Sequence, residues 1–163
     1  MKLTKKIFFI LVLIALSCTR TNYLLPTKYK LNKKITSKTS LDKITIYQID
    51  ADRINLHDLN SYPKRTKHSS GYKIQKWQRY NSINRQEQKR IFDIVKESNE
   101  TSNNKHIFKL TELLQTNQDV YFSSLYSDET KDASGEPTRF YDTMYFINVK
   151  NKKLFEIQHI YDY

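Results

Sequence analysis

The stretch RFYDTMYFINVKNKKLFEIQHIY, residues 139–161, decides the fold. Its two halves, 139–149 and 153–161, are rich in β-branched and aromatic residues, which suit a pleated, half-buried surface. Between them stands the polar tetrad Lys150-Asn151-Lys152-Lys153, which fits a tight hairpin turn and so makes the pair antiparallel. Upstream lies SDETKDASGEPT (127–138), an acidic, turn-rich loop, and before it DVYFSSLY (119–126), a third strand.

Further upstream the period changes from two to 3.6. Asn84, with Glu87 three residues on, has the spacing of a capping box. Ile91, Phe92, Ile94, Val95 and Ser98 then form one stripe, which predicts a helix over 85–98. Lys89 and Asp93 lie one turn apart on its surface. Residues 106–115 carry Ile107, Leu110, Leu113 and Leu114, predicting a second helix. Before the helices, KITIYQI (43–49) and YKIQKWQRY (72–80) read as strands. They flank a polar stretch, 50–70, with one short helical turn near Ile54–Leu59. The order β-β-α-α-β-β-β indicates an α+β domain over 41–163. The expected architecture is a small antiparallel sheet of about five strands with one or two helices on one face.

The composition excludes several chemistries. Two glycines, Gly71 and Gly135, leave no way to write a phosphate-binding P-loop or a dinucleotide-binding glycine turn. One cysteine excludes a CxxC redox pair and a zinc site built on thiolates. No GxSxG elbow occurs. His57, His68, His106 and His159 lack HxxxH spacing. Asp50, Asp52, His57 and Asp58 cluster in sequence, but Arg53 beside them points to local ion pairing. Asp128, Glu129, Asp132 and Glu136 miss the EF-hand spacing and read as a solvated turn. No two glutamates have a spacing that singles them out for glycoside hydrolysis. The reading is therefore of no cofactor, no metal and no catalytic residue.

The single cysteine, Cys18, closes the N-terminal segment. Lys2, Lys5 and Lys6 are followed by an unbroken apolar run, Ile7–Leu16, which is too short to span a bilayer as a helix. The sequence Ala15-Leu16-Ser17-Cys18 resembles the end of a bacterial lipoprotein signal sequence, cut by signal peptidase II. Ser17 takes the small position before the cut, while Ala15 and Leu16 depart from the usual choices. Ala15 and Ser17 also satisfy the small-x-small rule of ordinary signal cleavage at the same bond. The resemblance covers residues 1–18 alone. It implies a signal peptide at 1–17, diacylglycerol on the Cys18 sulfur, export, and anchorage in the bacterial cell envelope. A cysteine without a disulfide partner agrees with acylation, because a free thiol is a liability in an oxidising compartment.

Residues 18–40 are Lys/Thr/Ser-rich without a clean period and read as a tether, although Tyr23-Leu24-Leu25 could still dock on the domain. Residues 18–90 hold 17 Lys/Arg against 5 Asp/Glu, whereas residues 91–163 hold 8 against 12. A basic balance usually raises nucleic acid as a partner, but an exported protein rarely meets any, so the expectation is an anionic envelope surface and no nucleic acid. Twelve tyrosines are the most unusual positive feature. Tyrosine suits recognition surfaces, and hot spots are enriched in Tyr, Trp and Arg. Tyr126, Arg139, Tyr141 and Tyr145, around the loop 127–138, are therefore the expected partner-binding residues, with Trp77 a candidate stacking platform. The functional expectation is a membrane-anchored, non-catalytic module with a protein partner. The alternatives are a protective inhibitor or immunity-type lipoprotein that blocks a toxin or hydrolase, and a small envelope hydrolase.

Overall fold

In the computed structural model, residues 23–39, 42–64, 71–102, 105–116, 119–131 and 137–159 are described; residues 1–22, with Cys18 and the expected signal peptide, lie outside them. The strands are β1 (Lys30–Lys38), β2 (Asp42–Asp50), β3 (Lys73–Ile74), β4 (Gln78–Arg79), β5 (Val120–Lys131), β6 (Pro137–Asn148) and β7 (Lys153–His159). The helices are α1 (Leu56–Asn60), α2 (Arg85–Ser102) and α3 (Lys105–Gln115). The strands form one antiparallel sheet in the order β1-β2-β7-β6-β5-β3, with β4 also pairing with β5. The class is α+β as expected. The sheet has seven strands rather than about five, and both of its faces are covered.

On one face the helices α2 and α3 cover Ile44, Ile46, Phe122, Met144, Phe146, Phe155 and Ile157. Ile91 and Val95 of α2 and Ile107 and Leu110 of α3 lie at their buried side, none more than 1% exposed. The Asn84 half of the expected capping box is present at α2, with the Glu87 N–H donating to Asn84 Oδ1 at 2.9 Å.

The opposite face carries a second core, in which Leu24, Leu25, Tyr29, Ile54, Leu59 and Trp77 pack over Ile49, Tyr121, Tyr145, Ile147 and Leu154. Here the structure corrects the tether expected at 18–40. Residues 23–29 are part of the core, with Leu24 fully buried, and residues 30–38 are strand β1. The Trp77 indole N–H donates to the Leu24 carbonyl at 2.7 Å, so the segment satisfies a buried donor as well as filling space. The Tyr29 hydroxyl donates to Asp58 Oδ2 at 2.7 Å and accepts from the Asn55 N–H at 2.8 Å, tying the segment to α1.

Two bulges decide which side chains face which core. One lies in β1 between Lys33 and Ile35. The other lies where Leu125 pairs with Thr143 but Tyr126 pairs with Tyr141, leaving Asp142 as the extra residue on β6. An extra residue reverses the alternation of faces beyond it. Tyr145 therefore faces the second core, whereas Tyr141 joins the core beneath the helices.

Candidate functional site

Of the four residues expected to form a recognition surface, Tyr126 and Tyr141 are cross-strand partners in one core, while Tyr145 faces the other. Tyr141 is 6% exposed and Tyr145 4%, in different cores on opposite faces of the sheet. The Tyr141 ring stands edge-on to Phe122, with centroids 6.0 Å apart. Its hydroxyl donates to Glu87 Oε1, and the Arg90 guanidinium lies 5.8 Å from the ring centre. The glutamate of the expected capping box thus binds the sheet, holding α2 down on β6. Tyr126 is half-buried against the same core. Arg139 stands opposite Asp128 in the β5–β6 register; of the loop expected at 127–138, residues 127–131 and 137–138 are strand, and residues 132–136 and the Arg139 side chain lie outside what is described. Trp77 is 3% exposed and offers no stacking platform.

Three arrangements among the described residues are candidates for chemistry or binding. The first joins Asp42, Ser98 and His159. Ser98 Oγ donates to Asp42 Oδ2 at 2.5 Å, and His159 Nδ1 lies 3.1 Å from Asp42 Oδ1. The residue types are those of a hydrolytic triad, but the order is wrong. The serine is bonded to the carboxylate rather than to the imidazole, and it is 1% exposed. The cluster ties α2, β2 and β7 together, with Asp42 and Ser98 buried and His159 partly exposed.

The second is a tyrosine network on the face opposite the helices. The Tyr47 hydroxyl donates to Glu156 Oε2 at 2.8 Å, and Tyr145 is hydrogen-bonded to Tyr23. Burial first, then the Glu156 charge, push the Tyr47 phenol far above its ordinary range. Burial does the same to Tyr145. Both phenols are therefore held protonated at neutral pH.

The third is an open groove of about 370 Å³ where α2 meets the end of α3. Phe92, Leu114 and Tyr80 form its apolar floor; Arg85, Lys89 and Gln115 stand at its rim. Gln88 braces it by donating to the carbonyls of Ile83 at 2.7 Å and Tyr80 at 3.1 Å, while the Tyr80 hydroxyl donates to the Gln88 carbonyl at 2.8 Å. Lys89 pairs with Asp93 at 2.6 Å across an exposed helix turn, a contact worth about 0.5 kcal/mol or less. Arg85 is exposed and makes no ion pair among the described residues. Phe108, 54% exposed, is the one exposed large apolar side chain among the described residues. It lies seven residues before Gln115, two turns along the same stripe of α3. This groove was not legible beforehand, because Arg85 and Phe92 read as ordinary surface and stripe positions until α3 lay beside them.

Among the described residues no three His, Cys, Asp or Glu side chains converge as metal ligands. Asp58 of the acidic cluster instead pairs with Lys28 at 2.5 Å. The Lys28 contact first, then the Tyr29 hydrogen bond, hold its carboxyl below the usual range. Comparison with protein-family models, with curated proteins and with solved structures finds no match.

Proposed function

We propose that this chain is an exported lipoprotein of the bacterial cell envelope, held by lipid on Cys18, whose domain binds an acidic segment of a protein partner in the α2–α3 groove without catalysing a reaction. The anchoring half rests on the sequence: the sole cysteine stands directly behind a basic start and an apolar run. The observation that carries the binding half is the groove itself, with an exposed Arg85 that makes no ion pair among the described residues and a loosely paired Lys89 above a floor of Phe92 and Leu114. Such a rim attracts a carboxylate, and the floor takes an apolar side chain beside it.

Crosslinking in native membranes tests the proposal. A photo-crosslinker at Gln115 should capture a partner, and capture should weaken at raised salt. Arg85→Glu with Lys89→Glu should abolish it, whereas Lys109→Glu, exposed on the same helix layer but outside the groove, should leave it. Equal capture by the groove variant would refute the assignment.

A further inference from the structure

We infer that the sheet face opposite the helices is the membrane-facing side of this protein, and that Lys33, Lys38 and Lys43 on it bind the headgroups of anionic phospholipids. The inference rests on the lipid-anchored reading and adds to it the surface that meets the bilayer.

Distance is the first argument. The described fold begins at Tyr23, which packs on the second core and bonds to Tyr145 in the middle of that face. Leu24 is fully buried, and its carbonyl is held by Trp77. Only five Cα–Cα steps separate Cys18 from Tyr23, at most about 18 Å of chain. A domain of this size has a radius of gyration of roughly 14 Å and hence a diameter near 37 Å. An acyl chain on Cys18 therefore cannot enter a bilayer lying beyond the helices.

Register supplies the second argument. Tyr47 and Thr45 alternate with Ile46 and Ile44, whose side chains lie under the helices. The residues paired with them, Lys33 with Tyr47 and Thr36 with Thr45, share the opposite face, as do Lys38 and Lys43 one step on. Lys38 and Lys43 are direct cross-strand partners. Like charges placed so destabilise a sheet unless an anion sits between them. None of the three lysines makes an ion pair among the described residues. Glu156, a carboxylate on the same face, is engaged by the Tyr47 hydroxyl. Lysines on an edge strand also prevent pairing with another sheet. That accounts for Lys33 and Lys38 but not for Lys43, which lies on the interior strand β2. Anionic headgroups account for all three, and a basic patch beside a lipid anchor reinforces its hold.

The test uses residues 19–163, which hold every described element and carry no lipid. This chain should sediment with vesicles of phosphatidylglycerol and phosphatidylcholine at low ionic strength, and not with phosphatidylcholine alone. Changing Lys33, Lys38 and Lys43 together to Gln should weaken that binding roughly a hundredfold. Changing Lys96, Lys105 and Lys109 on the helix side should alter it less than threefold. Trp77 fluorescence checks that both variants remain folded. Equal losses in the two variants, no loss in the first, or tighter binding to heparin than to the vesicles would overturn the inference. Fatty-acid labelling of the full chain keeps the two claims apart. Without label on Cys18 but with the lysine-dependent loss, anchorage fails and the surface stands. With label but no loss, the surface fails and anchorage stands.

Discussion

Replacing Leu24 with alanine separates a folded N-terminal segment from a solvated one. Leu24 is fully buried in the second core, and its carbonyl accepts the Trp77 indole N–H at 2.7 Å. The substitution removes three carbons from that core, about 2.4 kcal/mol at about 0.8 kcal/mol for each. The cavity left behind adds to this, and buried Leu→Ala changes span about 2–5 kcal/mol. A loss of about 3 kcal/mol follows, or a fall of roughly 10 °C in Tm for a domain of this size. Trp77 is the sole tryptophan and sits in the same cluster, so urea unfolding followed by its fluorescence reads the site directly. If the segment were a tether, the change would stay within about 0.5 kcal/mol. A value that small would refute the docking of residues 23–29 and, with it, the short leash from Cys18.

Limited proteolysis should leave a resistant fragment that begins at or before residue 23, since Leu24, Leu25 and Tyr29 are buried; a stable core starting near residue 41 would contradict this. Tyr141→Ala should cost about 3–5 kcal/mol, as expected for a buried aromatic, and Tyr141→Phe about 1–2 kcal/mol through the lost bond to Glu87; near-neutral results in denaturant would return Tyr141 to the surface. Stability should hold up to pH 10 and then decline. Burial pushes the Tyr80 phenol up to about 12, and those of Tyr47 and Tyr145 also upward, so above pH 10 the unfolded chain releases protons that the folded chain keeps. A urea midpoint unchanged from pH 9 to 12 would show those phenols to be solvated.

The legible parts of the fold were those whose pattern is local. Asn84, the Ile91–Ser98 stripe and the Lys150–Lys153 turn each contain their own signal, and each is found where it was read. What failed was non-local. Strand β1 escaped notice because the bulge at Lys34 interrupts its alternation and because an edge strand exposes most of its side chains. Residues 23–29 have no period at all; they are core only because Trp77, Leu59 and Tyr121 arrive from elsewhere in the chain. Tyr141 and Tyr145, four residues apart, should share a face in a regular strand, and the bulge at Asp142 alone separates them. Burial removes Tyr141 and Tyr145 from the recognition surface read from tyrosine count, whereas Tyr126 is half-buried and the Arg139 side chain lies outside the described residues. In this sheet Tyr121, Tyr141 and Tyr145 fill cores, as large amphipathic side chains with satisfied hydroxyls can.

Everything proposed for this domain at a membrane depends on Cys18 being its lipid anchor. Expressing the full chain in bacteria supplied with labelled palmitate, then separating membranes from soluble fractions, tests it most directly. The account predicts labelled protein in the membrane fraction, and an unlabelled Cys18→Ala variant. Label that persists in Cys18→Ala, or wild-type protein that is exported without label, would contradict it.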